Sequence, residues 1–172
     1  PMVISPGVKQ ILDVGGNTGK FAIRCARWSE DVHITILDLP GQLEKAQANI
    51  EKEGLSHRIS CMPLNLLDHS KSFPGGMDVI WMSQFLDCFS KEDIAQLLRR
   101  GKEAMRSSSS LFIMELLWDR QKFEASTYSL HATSLYFTNI ANGNSQMYHS
   151  NDLLELIEQS GMIVADSKDD IG

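Results

Sequence analysis

Asp13, Gly15, Gly16, Gly19 and Asp38 are the residues whose types and spacing first point to chemistry. The run Gln10-Ile-Leu-Asp-Val-Gly-Gly-Asn-Thr-Gly19 sets one acid in an apolar stretch and breaks at once into a glycine turn. A helical pattern follows over Lys20–Trp28, and a second apolar stretch ends in the acid Asp38. Strand, glycine turn, helix, strand, acid is the layout of a nucleotide-binding βαβ unit. Glycines allow backbone angles closed to other residues and let a ligand approach the main chain. The helix behind them offers free N–H groups and the positive end of its dipole.

Spacing separates the candidate nucleotides. The dinucleotide fingerprint G-x-G-x-x-G fits no frame of glycines at 15, 16 and 19. The acid lies inside the strand, two residues before the turn, where it faces a cationic or amine-bearing ligand, and a pyrophosphate is neither. That favours S-adenosylmethionine, whose amino acid end carries an ammonium group. A nicotinamide dehydrogenase would share the βαβ unit and Asp38, but the glycine spacing and Asp13 argue against it.

Asp13-Val-Gly-Gly-Asn-Thr-Gly19, followed by Leu37-Asp38-Leu39-Pro40, resembles the small-molecule O-methyltransferase family related to plant caffeic acid and bacterial antibiotic O-methyltransferases. That family reads Asp-Val-Gly-Gly-Gly-Thr-Gly and then Asp-Leu-Pro. Met77-Asp78-Val79-Ile80, Phe89-Ser90 and Glu115 keep its order. The resemblance implies that Asp13 meets the ligand's amino group, directly or through water, while Gly15, Gly16 and Gly19 form the turn. Asn17 replaces a family glycine, and asparagine tolerates left-handed angles, so the turn is kept. Asp38 accepts from the ribose hydroxyls, and Leu39 flanks the adenine. Asn65 stands where the family has an acid and meets the adenine amino group, with Asp68 the alternative and Leu66 an apolar wall. Ser83 replaces a family lysine near the cofactor; Trp81 and Met82 read as core.

The catalytic stretch departs from the pattern. The family's general base is a histidine just before Asp-Trp-Ser, and Leu86-Asp87-Cys88-Phe89-Ser90 puts Asp87 at that position. A carboxylate there deprotonates a phenol only if burial lifts its pKa well above ~3.9. The family's orienting glutamate near the last helix falls in Asn144–Met147, which holds no acid, whereas Glu115 matches. Asp87 and Glu115 are therefore the catalytic candidates. Asp87 acts as base, or it orients an acceptor already ionised, since alignment alone can carry methyl transfer. His131 or His149 could serve instead, against the plainer reading of each as an exposed or capping residue. A domain that binds cofactor and has lost the reaction is the remaining alternative. Phe123, Tyr128, Tyr136, Phe137, Met147 and Tyr148 lie where the family builds its acceptor pocket, which suits a small aromatic acceptor. Ordinary helix packing explains their spacing equally well.

These residues need a scaffold. Gln10–Val14, His33–Leu37, Ile59–Leu64, Met77–Met82 and Leu111–Leu117 read as buried strands alternating with helices. Leu43, Ala46 and Ile50 share one face of a helix over Gln42–Glu53, stopped by Gly54. Ser90 with Asp93 starts another like a capping box, with Ile94, Leu97 and Leu98 inward. Ser150 is expected to cap a last helix with Leu153, Leu154 and Ile157 inward and Gly161 at its end. Ser107–Ser110 reads as a polar turn, and Met162–Ala165 as a strand. The fold class expected is α/β, a doubly wound, mostly parallel Rossmann-like sheet lacking the family's last antiparallel strand.

Composition bounds the rest. A chain of 172 residues with 42% hydrophobic content can bury one domain's core. A net charge of −6 argues against a nucleic acid partner. No apolar run has membrane length, and no charged-then-apolar leader pattern is read at the start of the sequence. Three scattered cysteines read as reduced thiols of a cytoplasmic protein, and no metal is expected. Both ends look cut: Pro1–Lys9 is loop-like, Gly172 closes the chain, and similar proteins carry an N-terminal dimerisation domain. Residues 1–172 are accordingly expected to be a catalytic domain whose intact protein is a homodimer, with the fragment alone prone to aggregate.

Overall fold

The computed structural model describes residues 3–140 and 143–169; Pro1, Met2 and the terminal Gly172 of the expected ends lie outside them. Two compact units are formed. The first comprises Pro1–Ser83 and Glu103–Ile113, the second Gln84–Lys102 and Met114–Gly172.

The first unit is built on β1 (Gln10–Val14), β2 (His33–Asp38), β3 (Ile59–Pro63), β4 (Met77–Ser83) and β5 (Met105–Met114), which ends as the second unit begins. Their order is β3-β2-β1-β4-β5. β1 pairs in parallel with both β2 and β4, and β2 with β3, so two crossover directions diverge from β1. That reversal is the topological switch point at which open α/β sheets bind ligands. The expected doubly wound α/β class is observed.

Helices α1 (Lys20–Trp28) and α2 (Pro40–Lys52) belong to this unit. Ala22 and Ala26 of α1, and Leu43, Ala46 and Ile50 of α2, join Ile11, Ile34, Ile36 and Val79 in one apolar core. The expected face of α2 is therefore the buried one. Trp81 stacks on Phe21 at 4.4 Å and lies tilted against Phe112, and Met82 is fully buried. Both are packed as core.

Two expectations on β5 fail together. It starts at Met105, six residues before the expected Leu111, and it absorbs Ser107–Ser110. Strand pairing uses main-chain groups, so a largely exposed serine run can extend a strand that apolar patterning misses. Ser109 is also tied to β4, its hydroxyl donating to the Met77 carbonyl. The strand ends at Met114 and leaves Glu115 just beyond it.

The second unit carries most of α3 (Lys91–Ala104), with α4 (Glu124–Ile140) and α5 (Ser150–Gln159). Asp93 N–H donates to Ser90 Oγ at 3.2 Å, and Ile94, Leu97 and Leu98 are fully buried, as the pattern required. For α5 the cap is His149, whose Nδ1 accepts from Asn151 N–H. Ser150 is unavailable for that role because its N–H and hydroxyl both donate to Asp119. Leu153 and Leu156 face inward while Leu154 is exposed, a one-step rotation of the expected stripe. Met162–Ala165 is irregular, with Ile163 89% exposed. A β-branched run becomes a strand only where a ladder partner exists, and none of the described residues supplies one.

Replacing Ser90 by alanine removes the acceptor for an orphan N–H at the start of α3. A loss of about 1 kcal/mol is expected, read by thermal or urea unfolding.

Candidate functional site

The turn after β1 is shaped by three left-handed residues and one close contact. Gly15, Asn17 and Gly19 have φ of 74°, 47° and 75°. Asn17 does what its family glycine would do, and the turn is kept. Gly15 N–H donates to the Leu37 carbonyl at 2.8 Å, prolonging the β1–β2 ladder into the turn, and Gly19 N–H donates to the Gly16 carbonyl. Gly16 is required for space: a Cβ there would stand 2.5 Å from Asp13 Oδ2 and 2.7 Å from Ile36 Cγ2. Asn49 closes the far side, its side-chain amide donating to the Thr18 carbonyl.

Asp13 lies beneath this turn, 2% exposed. Its Oδ2 is enclosed without a hydrogen-bond partner among the described residues. Burial first, then the charge of Asp38, pushes its carboxyl up to about 7. The Cys25 thiol feels the same setting and is pushed up to about 12 by burial and by Asp13. An enclosed carboxyl lacking a partner calls for a proton or a cation. That is the property which fits a ligand presenting an ammonium group at this turn.

Asp38, at the end of β2, has a use the sequence did not disclose. Its Oδ2 accepts the Asn17 N–H at 2.8 Å and its Oδ1 the Leu39 N–H at 2.8 Å. The carboxylate thus fastens the turn after β1 to the end of β2. Each oxygen retains acceptor capacity for a ligand hydroxyl. Leu39 is 48% exposed beside it, free apolar surface of the kind an adenine covers. Asn65 is exposed, with its side-chain oxygen accepting from Leu67 N–H. Leu66 turns into the core at 5% exposure, and Leu67 presents the apolar surface there. Ser83 is half-buried at the end of β4.

The second unit brings together Asp87 and Glu115, which border one small cavity with Leu86, Leu117, Tyr148 and Leu153. Glu115 Oε1 accepts the N–H groups of Phe85 and Leu86, both at 2.9 Å. Gln84, in a left-handed conformation at φ 46°, donates its N–H to the Met114 carbonyl. The segment carrying Asp87 therefore hangs on Met114 and Glu115, the last residue of β5 and the one after it. The Asn144–Met147 stretch, which lacks the family's acid, still reaches it: Gln146 N–H donates to the Asp87 carbonyl. Burial raises the Asp87 carboxyl, opposed by the Cys88 thiol hydrogen bond. Burial raises Glu115 to about 7 against its two backbone hydrogen bonds, with the Asp87 charge adding to the rise. Gln84 and Gln146 were missed by sequence reasoning, and nothing in their types or spacing signals these contacts, whereas Tyr148 was among the aromatic residues expected near the acceptor.

His131 and His149 flank Trp118, each ring centroid 4.8 Å from it. His149 serves as a helix cap and His131 is exposed, which agrees with the plainer reading of both. Phe123, Tyr128, Tyr136 and Phe137 are exposed, and only Tyr148 of the aromatic set borders the Asp87 cavity. No His, Cys, Asp and Glu group among the described residues forms a metal-binding cluster.

Comparison with known proteins decides the family, since the model of the O-methyltransferase domain matches residues 4–162. The chain belongs to the O-methyltransferase domain family. A mitomycin biosynthesis 6-O-methyltransferase from Streptomyces lavendulae is 26% identical, covering 92% of this chain and 43% of its own length. The aclacinomycin 10-hydroxylase of Streptomyces purpurascens is 28% identical over 63% of this chain and 28% of its own. Among solved structures, an O-methyltransferase from neocarzinostatin biosynthesis, in complex with S-adenosylmethionine and 2-hydroxy-5-methyl naphthoic acid, shares the fold. Its TM-score is 0.74 at 23% identity, over 90% of this chain and 43% of that one. The chain thus spans less than half the length of these relatives. Membership in this family sets aside the nicotinamide alternative.

Two outcomes follow for the turn. Gly16→Ala forces its methyl group into Asp13 and Ile36, and a loss of about 1–3 kcal/mol is expected in urea unfolding. Asp13 has a folded-state pKa raised above its unfolded value, so its ionisation weakens the fold as pH climbs from the unfolded pKa towards 7. Asp13→Asn removes that penalty: Tm should rise by about 4 °C or more above pH 7 and change little near pH 4, read by calorimetry.

Proposed function

We propose that this chain is the catalytic part of an S-adenosylmethionine-dependent methyltransferase that O-methylates a small aromatic acceptor. The observation that carries the reading is the unpartnered Asp13 carboxyl, enclosed beneath a left-handed glycine turn at the switch point of the sheet. Bound S-adenosylmethionine supplies an electrophilic methyl group on a sulfonium. Asp13 answers the ligand's ammonium charge, directly or through water. The backbone of Gly15, Gly16, Asn17 and Gly19 forms the cradle. Asp38 accepts from the ribose hydroxyls, while Leu39, Asn65 and Ser83 complete the nucleoside side. No metal is needed.

In the second unit, Asp87 takes the place of the family's histidine as the group facing the acceptor hydroxyl, with Glu115 behind it. The aromatic class of acceptor is supported by the naphthoic acid in the related complex and by the leucines and Tyr148 around Asp87. We further propose a cytoplasmic protein, homodimeric when intact. No helix among the described residues is long and apolar enough to cross a membrane.

A second reading has one observation in its favour. The hydroxylase among the relatives shares the family, so the fold is also used for a reaction other than methyl transfer. A cofactor-binding protein without methyl transfer is therefore the competing outcome.

Titration of the intact protein with S-adenosylhomocysteine and separately with NADH, followed by calorimetry, tests the cofactor. Binding of the first alone is expected, weakened at least about tenfold by Asp38→Ala through loss of a charged acceptor. A panel of phenols then tests the reaction. Turnover that Asp87→Ala reduces about 10²-fold or more at unchanged cofactor affinity supports the assignment. Cofactor binding with no turnover on any phenol selects the second reading.

A further inference from the structure

Glu115 is fixed through one oxygen only. Its Oε1 holds the Phe85 and Leu86 N–H groups, while Oε2 is enclosed without a partner among the described residues. Glu115 shares with Asp87 a cavity of about 10 Å³, which is the room one water occupies. Asp87 is held in place beside it. Its carbonyl accepts from Gln146, its chain enters through the left-handed Gln84, and its Oδ1 accepts from the Cys88 thiol at 3.6 Å. Among the described residues no Lys, Arg or His borders the cavity, so none of them neutralises the two acids there.

We propose that Asp87 and Glu115 form a single proton-sharing pair across this cavity, bridged by one water at Glu115 Oε2, and that the doubly ionised pair is the base for the acceptor hydroxyl. The inference rests on the reading of Asp87 as the group that faces the acceptor. It explains how an aspartate can replace a histidine. A lone aspartate, with a pKa of ~3.9, is a poor base for a phenol near 10. Two carboxylates in a site of low polarity bind their first shared proton far more tightly, because that proton relieves their mutual repulsion. When the acceptor O–H bond breaks, its proton passes to Asp87, the oxygen keeps the electron pair, and the dianion becomes a singly protonated monoanion.

The other titratable groups at the cavity do not compete for this proton near neutral pH. The Cys88 thiol is pushed up to about 12 by burial and by both acids, and it stays a donor to Asp87. The Tyr148 hydroxyl donates to the Phe89 carbonyl, and burial raises its pKa. The rise of Glu115 to about 7 agrees with a proton retained into the neutral range. Glu115 is on this account also a positioning residue, since its two backbone bonds set where Asp87 stands.

Infrared difference spectroscopy of the intact protein, titrated from pH 4 to 9 without acceptor, tests the pair independently of turnover. Asp13 contributes its own protonated carboxyl, so bands are assigned by comparing wild type with Asp13→Asn, Asp87→Asn and Glu115→Gln. A carboxyl band lost in Glu115→Gln should titrate near pH 7 in the wild type. In Asp87→Asn its midpoint should fall by about one pH unit or more. A Glu115 midpoint unmoved in Asp87→Asn overturns the pair. In methyl transfer, Glu115→Gln keeps an acceptor for both backbone N–H groups, yet the acid limb of the pH–rate profile should move down by about one unit. Coupling in the infrared with an unmoved acid limb overturns the pair as base. Failure of all phenols to turn over strikes the proposed function and leaves the infrared result standing.

Discussion

A carboxylate folded beneath a glycine turn without a counter-charge is the constraint on which the first unit depends. Asp13 occupies a position in β1 where an apolar residue would complete the core at no electrostatic cost. The chain accepts burial of an unpartnered oxygen and then arranges the rest around it. Gly16 has no side chain because Oδ2 fills the space. Asn17 takes a left-handed angle so that its N–H can turn to Asp38. Asp38 in turn fixes the separation between the turn and the end of β2, and Gly15 carries the sheet ladder one residue further. Each of these is a local backbone adjustment, and together they surround one group that remains unsatisfied in the protein alone.

The second unit poses a similar problem with a different solution. Glu115 gives one oxygen to the backbone ahead of Asp87 and leaves the other enclosed. Where the family pattern has an imidazole and two acids, this chain has a short segment carrying one acid, suspended from another. The stretch without the family's orienting glutamate still reaches the segment through its main chain, Gln146 N–H donating to the Asp87 carbonyl.

The first unit was legible because its chemistry is written in backbone requirements. Glycines, an asparagine able to adopt φ 47°, and acids at strand ends leave marks in a single sequence, and the alternation of strand and helix periods implies a doubly wound parallel sheet. Ser107–Ser110 was read as a turn because polar side chains hide a strand whose ladder is a main-chain one. The facing of α5 was misread by one step because the cap lay at His149, and Ser150 had been taken up by Asp119, a contact between residues far apart in sequence. The surroundings of Asp87 were least legible. They depend on Gln84, Glu115, Gln146 and Tyr148, drawn from separate segments, and no local pattern announces that these segments meet. Propensity and period describe neighbours along the chain, whereas this cluster is made by neighbours in space.

The distribution of the tryptophans has a practical consequence. Trp81 lies face to face with Phe21 inside the first unit, while Trp118 of the second sits with an imidazole on either side. Trp28 is largely exposed at the end of α1. Each unit thus carries at least one indole of its own, Trp81 in an aromatic stack and Trp118 beside two imidazole rings. Fluorescence lifetimes resolved for these two residues report on the two halves of the molecule separately, without any label being attached.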